Sequence, residues 1–128
     1  MKKITTNFLR TQLTLMSSGA VEYISSMKYM GFGIGGLDDA GVPLQPSESQ
    51  TALFNEAAVY PITRIEYPLE PNTKARYTCA IPAQDLSGVV ISEACIKDGD
   101  NNVYHIATFL GKAKDGGVTF EFQFDVDF

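Results

Sequence analysis

One histidine, two cysteines and a few closely spaced carboxylates are the residues with which this chain of 128 residues could do chemistry. His105 lies between Tyr104 and Ile106 in an apolar run. To serve as a general base it would need a nucleophile presented to it, and neither a nucleophile elbow nor a cysteine-protease signature is present. It reads as a structural, hydrogen-bonded imidazole. Cys79 and Cys95 stand in apolar stretches without metal-ligand spacing, and read as buried free thiols. Asp98-x-Asp100-x-Asn102 opens like a calcium loop, but Val103 and Phe109 stand where that loop needs Gly and Glu. A solvated hairpin turn is the expectation there. Glu121, Asp125 and Asp127 share one strand face and could do acid–base work or hold a cation. They read instead as the solvated face of a sheet. Gly31–Gly36 looks like a dinucleotide turn, yet Leu37-Asp38-Asp39-Ala40-Gly41-Val42-Pro43 follows in place of a helix. Two acids and a proline-bearing loop would repel a phosphate. No catalytic residue, metal site or cofactor is therefore expected.

The elements that would position these residues are mostly strands. Residues 6–17 have the spacing of a short helix, with Leu9, Leu13, Met16 and Ala20 on one face, Thr6 or Asn7 as its cap and Gly19 at its end. Residues 21–33 read as a strand, and the glycines of 31–36 make a turn or bulge that cannot hold one. Ser49 is placed to cap one or two helical turns through Asn55. Ile62–Leu69 reads as a strand, ended by Pro68 and Pro71. Lys74–Ile81 alternates, with Ala75, Tyr77, Cys79 and Ile81 on one face. Val89–Lys97 and Val103–Leu110 flank Asp98-Gly99-Asp100-Asn101-Asn102, a hairpin signal. In the final run Val118, Phe120, Phe122, Phe124, Val126 and Phe128 alternate with polar residues, as in a half-buried antiparallel strand. Its phenylalanine row is core or, in part, a subunit interface. Leu9, Leu13, Met16 and Phe128 are the candidate interface positions.

Length and composition set the frame. The size is that of a single domain, residues 1–128. Apolar residues make up 45% and charged residues 20%, enough core and too little charge for a disordered chain. The net charge of −5, with ten scattered basic residues, argues against nucleic acid and against anionic membrane surfaces. No run approaches the ~20 apolar residues of a membrane span. Thr5, Thr6, Asn7, Arg10, Thr11 and Gln12 interrupt any signal-peptide core, so synthesis in the cytoplasm, with reduced thiols, is expected. The fold class expected is β-rich α+β: a small antiparallel β-sandwich with an N-terminal helix.

One stretch carries a resemblance. Gly31, Gly33, Gly35 and Gly36 follow a strand, then Pro43 and Pro46 in a loop, then Gln50, Thr51, Ala52, Leu53, Asn55 and Glu56, with Pro61 and Ile62 after them. This order resembles the N-terminal domain of phage tail-collar fibre proteins, in which a strand begins near the Pro-Ile pair. Ile81-Pro82-Ala83 and the run from Ser87 to Glu93 look like that family's paired-strand segment, although Ala94, Cys95 and Ile96 depart from its pattern. The resemblance spans roughly residues 13–110, with residues 50–56 its most specific part. It implies a virion structural protein of the tail, assembled in the host cytoplasm. Such a protein would be a tail-fibre anchor or adaptor, or a baseplate component, with other tail or baseplate proteins as partners and a homo-oligomer, a trimer, as its state. No shaft repeat follows, so an anchoring domain alone is implied. Within the signature, Leu53 and Phe54 are expected to be at least partly buried, and Asn55 and Glu56 to hydrogen-bond backbone groups of the adjoining loop. The alternative is a small soluble ligand-binding β module with its site near the glycine-rich loop.

Overall fold

Alternation is the clearest guide to the architecture. In the computed structural model, which describes residues 1–127, the alternating run at 74–81 is strand β5 (Lys74–Ile81) and the final run is β8 (Phe120–Asp127). They pair antiparallel, with Tyr77 opposite Phe124 and Cys79 opposite Phe122. The short β4 (Arg64–Glu66) adds to the far edge of β5, giving a three-stranded sheet in the order β4-β5-β8. The other strands are β1 (Lys2–Thr5), β2 (Met27–Gly33), β3 (Glu56–Pro61), β6 (Val90–Asp98) and β7 (Val103–Ala113). They form a five-stranded sheet in the order β1-β7-β6-β2-β3, with every pair antiparallel. A single helix among the described residues, α1 (Asn7–Ser17), sits at its β1–β7 end.

The two sheets face one another. Met30, Phe32, Ala94, Ile96, Ala107 and Phe109 of the larger sheet meet Tyr77, Cys79, Ile81, Phe122, Phe124 and Val126 of the smaller in one buried cluster. Phe122 is central, edge-on to Phe32 at 5.6 Å and beside Phe109 at 5.2 Å. The chain is thus a β-rich α+β domain built as an antiparallel sandwich with an N-terminal helix. The phenylalanine row is core through Phe122 and Phe124, while Val118 is exposed ahead of the strand. Phe128 lies outside the described residues.

The outer face of the larger sheet is also covered. Leu53, from the loop between β2 and β3, packs with Cys95, Val103 and Ile106. This second layer explains why β6 is buried from Ile91 to Asp98 with no alternation of exposure. At the helix, Thr6 is the cap: its hydroxyl accepts from the Leu9 N–H at 3.3 Å and donates to the Val103 carbonyl at 2.7 Å. Gly19 follows the helix end with φ +82°, a conformation glycine adopts freely. Only the first turn is pressed on the sheet, with Phe8 stacked on Tyr104 at 5.8 Å. Leu9 is therefore fully buried within the subunit and offers no surface to a second chain, a correction to its reading as an interface residue. Leu13 is half-buried, and Met16 and Ala20 are exposed.

Several boundaries also differ from expectation. The strand expected over 21–33 begins only at Met27, because the segment before it closes the helix: the N–H groups of Ala20 and Val21 both bond the Leu15 carbonyl. Gly31 and Gly33 belong to β2, so these two glycines do hold a strand; the expected bulge falls between Phe32 and Gly33, and Gly35 and Gly36 lie beyond the strand. The strand expected to begin near Pro61-Ile62 ends there. Ile62 N bonds Lys28 O of the larger sheet and Thr63 N bonds Thr78 O of the smaller, so the chain changes sheets between those residues. Only Arg64–Glu66 of the expected 62–69 strand then pairs. Residues 47–55 form turns in place of a helix, with Ser47 N donating to Gln50 Oε1 at 2.7 Å.

Candidate functional site

Two glycines in the middle of a sheet make room for two carboxylates. β2 runs between β3 and β6, and on its outer face Gly31 is flanked by Val59 and Cys95, and Gly33 by Glu56 and Glu93. A Cβ on Gly33 would lie 2.5 Å from both the Asn55 carbonyl oxygen and Glu93 Oε2. A Cβ on Gly31 would lie 2.6 Å from Glu56 Oε1 and 2.8 Å from Cys95 Sγ. Both separations are below any real carbon contact, so side chains from the flanking strands occupy the space that glycine leaves.

The Glu93 carboxylate is fully buried in this space. Its Oε2 accepts from the Gly35 and Asn55 N–H groups and its Oε1 from the Phe54 N–H, each at 2.8 Å. Beside it Ser92 Oγ accepts from Gly36 N at 2.9 Å, and Asn55 O accepts from Ile34 N at 2.9 Å. A buried charge is tolerated where hydrogen bonds replace its water shell, and three N–H donors do so here. Glu93 thereby clasps the glycine segment to residues 54–55. A second buried group lies next to it: Lys97, on the same face of β6, meets Glu56 Oε1 at 2.6 Å across the Gly31 gap and donates to Asn101 Oδ1 at 2.8 Å.

The signature residues have distinct places. Leu53 is buried and Phe54 is 46% exposed, so burial holds for the first and fails for the second. Asn55 engages the loop through its backbone, and Glu56 pairs with Lys97, so neither side chain caps the adjoining loop as expected. Glu93, supplied by a distant strand, does that work. Gln50 folds back on its own turn, its Nε2 donating to Ala52 O at 3.1 Å, and Thr51 and Ala52 are exposed. Gly31, Gly33 and Gly35 all border the junction. Sequence reasoning gave no role to Glu93, Lys97 or Ser92. Glu93, Cys95 and Lys97 alternate as an outward polar face would, and the loop that covers that face leaves no local signal.

The other candidate groups are held within the fold. Asp98 is buried at the hairpin, accepting from the N–H groups of Asp100 and Asn102 at 2.8 and 2.9 Å, from the Asn102 amide at 3.0 Å and from Tyr104 Oη at 3.2 Å. Burial is the largest single influence on this carboxyl and acts to raise its pKa. The bonds from Asn102, Asp100 and Tyr104 together outweigh it and hold the value below the usual range. Its oxygens are thus committed to the turn. His105 is buried in β7 opposite Thr5, with Nδ1 3.3 Å from the Thr5 hydroxyl. Burial, and secondarily the charge of Lys3, push its pKa down to about 4, so the ring is neutral at pH 7. It borders a cleft of about 300 Å³ between β1 and β8. There Arg10 pairs with Glu48 at 3.4 Å, and Lys3 Nζ donates to the backbone carbonyl of Asp125 at 3.0 Å. Cys79 and Cys95 are free, buried and in different sheets, and burial pushes both thiols up to about 12.

The acidic face of β8 meets a basic one from its own chain. Asp125 takes a two-pronged contact from Arg76, at 2.8 and 3.2 Å, and Lys74 lies 3.9 Å from Asp125 and 3.7 Å from Asp127. Arg64 reaches Glu121 at 3.5 Å. Basic residues that look scattered in sequence converge here because β4 and β5 lie beside β8.

Among the described residues no group of three or more His, Cys, Asp or Glu is set to hold a metal ion, and no helix is long and apolar enough to cross a membrane. Comparison with family models, with curated proteins and with solved structures finds no match to this chain.

Proposed function

We propose that the chain is a phage virion structural protein of the tail: an anchor or adaptor that attaches a fibre, or a baseplate component. One observation carries this reading. The three separate stretches that bear the resemblance, at 31–36, 50–56 and 87–93, meet around the Glu93 carboxylate. Residues that resemble a family signature are then residues with a joint structural task, which is what a scaffold shared with that family would require. A protein of this kind works by presenting surfaces to neighbouring tail proteins, and is incorporated into the particle after synthesis in the host cytoplasm.

An anion site in the glycine segment, one form of the ligand-binding alternative, is disfavoured at the same place. A glycine segment binds anions through free backbone N–H groups. Here those of Ile34, Gly35 and Gly36 are bonded to Asn55, Glu93 and Ser92.

Mass spectrometry of purified phage particles tests the proposal. The protein should be present in stoichiometric amount, and particles made without it should lack fibres or fail to complete the tail. Complete, infectious particles without this chain would sink the reading.

A further inference from the structure

An amine fixed beside an amide carbon meets it at a very high effective concentration, and a carboxylate in contact with the amine can take its proton. The end of β6 brings these three groups together. Lys97 Nζ lies 2.6 Å from Glu56 Oε1 and 2.8 Å from Asn101 Oδ1, and the lysine side chain is 5% exposed. Glu56 stands on β3, with β2 between it and β6. It reaches Lys97 because Gly31 of β2 has no side chain: a Cβ there would lie 2.6 Å from Glu56 Oε1 and 3.5 Å from Lys97 Cε. Asn101 is held by the turn. Its φ is +68°, and Asp98 Oδ1 accepts from the N–H groups of Asp100 and Asn102 on either side of it. The residue is exposed, so its amide can rotate about the Cβ–Cγ bond to turn the carbon toward Nζ, and a leaving group can pass into water.

We propose that Lys97 and Asn101 join in an intramolecular isopeptide bond, with Glu56 as the general base. Glu56 takes a proton from the Lys97 ammonium, and the freed lone pair attacks Asn101 Cγ. The Nζ–Cγ bond forms and the Cγ–Nδ2 bond breaks. Nζ passes from NH3+ to NH and releases two protons. The departing Nδ2 takes up two, from Glu56 and from water, and leaves as ammonium. Charge is conserved, the Glu56 carboxylate is restored and no oxidant takes part. The product is a ring closed across the turn that follows β6. Two neighbours that offer the same chemistry are committed elsewhere. Asn102 gives its amide to Asp98 Oδ2 at 3.0 Å. Lys114 is buried as deeply as Lys97, but it donates to the backbone carbonyls of Ala83 and Asp115, with no side-chain amide or carboxylate as a partner among the described residues. Lys114 is therefore an internal control.

The inference stands apart from the tail reading, and purified full-length chain tests it. Its intact mass should be one ammonia below that of the sequence. After unfolding, reductive methylation should label every lysine except Lys97, Lys114 included, and trypsin should not cut after Lys97. Asn101→Gly, which suits the left-handed backbone, should fold and keep its full mass. Glu56→Gln should form the bond about a hundredfold more slowly, the loss expected when a general base is removed. A parent chain that keeps its full mass through prolonged incubation at neutral pH overturns the proposal. So does an ammonia loss that leaves Lys97 open to the label, as a succinimide at Asn101 would, or one that persists in Asn101→Gly. A Glu56→Gln variant that forms the bond as fast as the parent overturns the assignment of the base.

Discussion

Two carboxylates show how differently this molecule holds negative charge. Glu93 is fully buried and is met by three neutral backbone N–H groups. Asp125 lies half-buried on the strand β8 and is met by the cations Arg76 and Lys74. The first arrangement ties three chain segments together, and losing it strands donors away from water. The second decorates an already formed strand pair, and water can replace either partner. The same charge is therefore structural in one place and nearly dispensable in the other, and burial makes the difference.

Glu93→Ala should have the largest effect. It leaves the N–H groups of Gly35, Phe54 and Asn55 without acceptors, at about 1–3 kcal/mol each when such groups stay dry. A loss upwards of about 3 kcal/mol in urea unfolding is expected, with little dependence on salt because the donors are uncharged. An unchanged midpoint would show that water enters the junction freely and would erase the contrast with Asp125.

Gly33→Ala tests the same junction from the opposite side. The added methyl meets the Asn55 carbonyl and Glu93 Oε2 at 2.5 Å, and both are fixed by hydrogen bonds. Overpacking of this kind costs about 1–3 kcal/mol. Combined with Glu93→Ala the cost should shrink, because one of the two clashing groups is gone. A double variant whose losses simply add would separate the glycine from the carboxylate.

The pH profile sharpens the comparison, because His105 is buried without a charge. Its folded pKa, about 4, lies below the ordinary value of 6.5. The unfolded chain therefore takes up the proton first. The stability it contributes is complete above about pH 6.5 and declines as the pH falls toward 4. Replacing His105 by Gln should flatten the profile in that window; an unaltered slope between those pH values would assign the titration to other groups.

Arg76→Ala should have the smallest effect. The two-pronged bond from Arg76 is the main influence lowering the Asp125 pKa; burial opposes it, and the charges of Arg76, Lys74 and Lys3 add to it. The stabilisation exists above the unfolded carboxylate range and is lost as the pH falls below about 4. A pair this accessible contributes little to stability, and high salt should reduce even that. A loss as large as that of Glu93→Ala would mean that β5 and β8 depend on the ion pair for their register.

Where a strand has one dry face, its structure was legible in advance. The alternation at 74–81 fixed the bounds and inward face of β5, and that at 118–128 gave most of β8. The Asp98–Asn102 turn was equally plain, since Asp98 and the left-handed Asn101 act locally. Boundaries set by remote partners were not legible. The switch of sheets at Ile62–Thr63 depends on Lys28 and Thr78, which are far away in sequence.

Composition and periodicity by themselves determined a small, strand-rich domain with a capped N-terminal helix, because alternate burial of apolar side chains is a local pattern that marks strands wherever they pack. The resemblance named the segments that matter but not what joins them. Tertiary structure alone decided that Glu93 and Lys97, to which the sequence assigned no place, are interior, because a loop from another part of the chain covers that side of β6. It likewise decided that Gly31 and Gly33 serve the strand rather than a turn. The space a glycine leaves has meaning only once it is known whose side chain fills it.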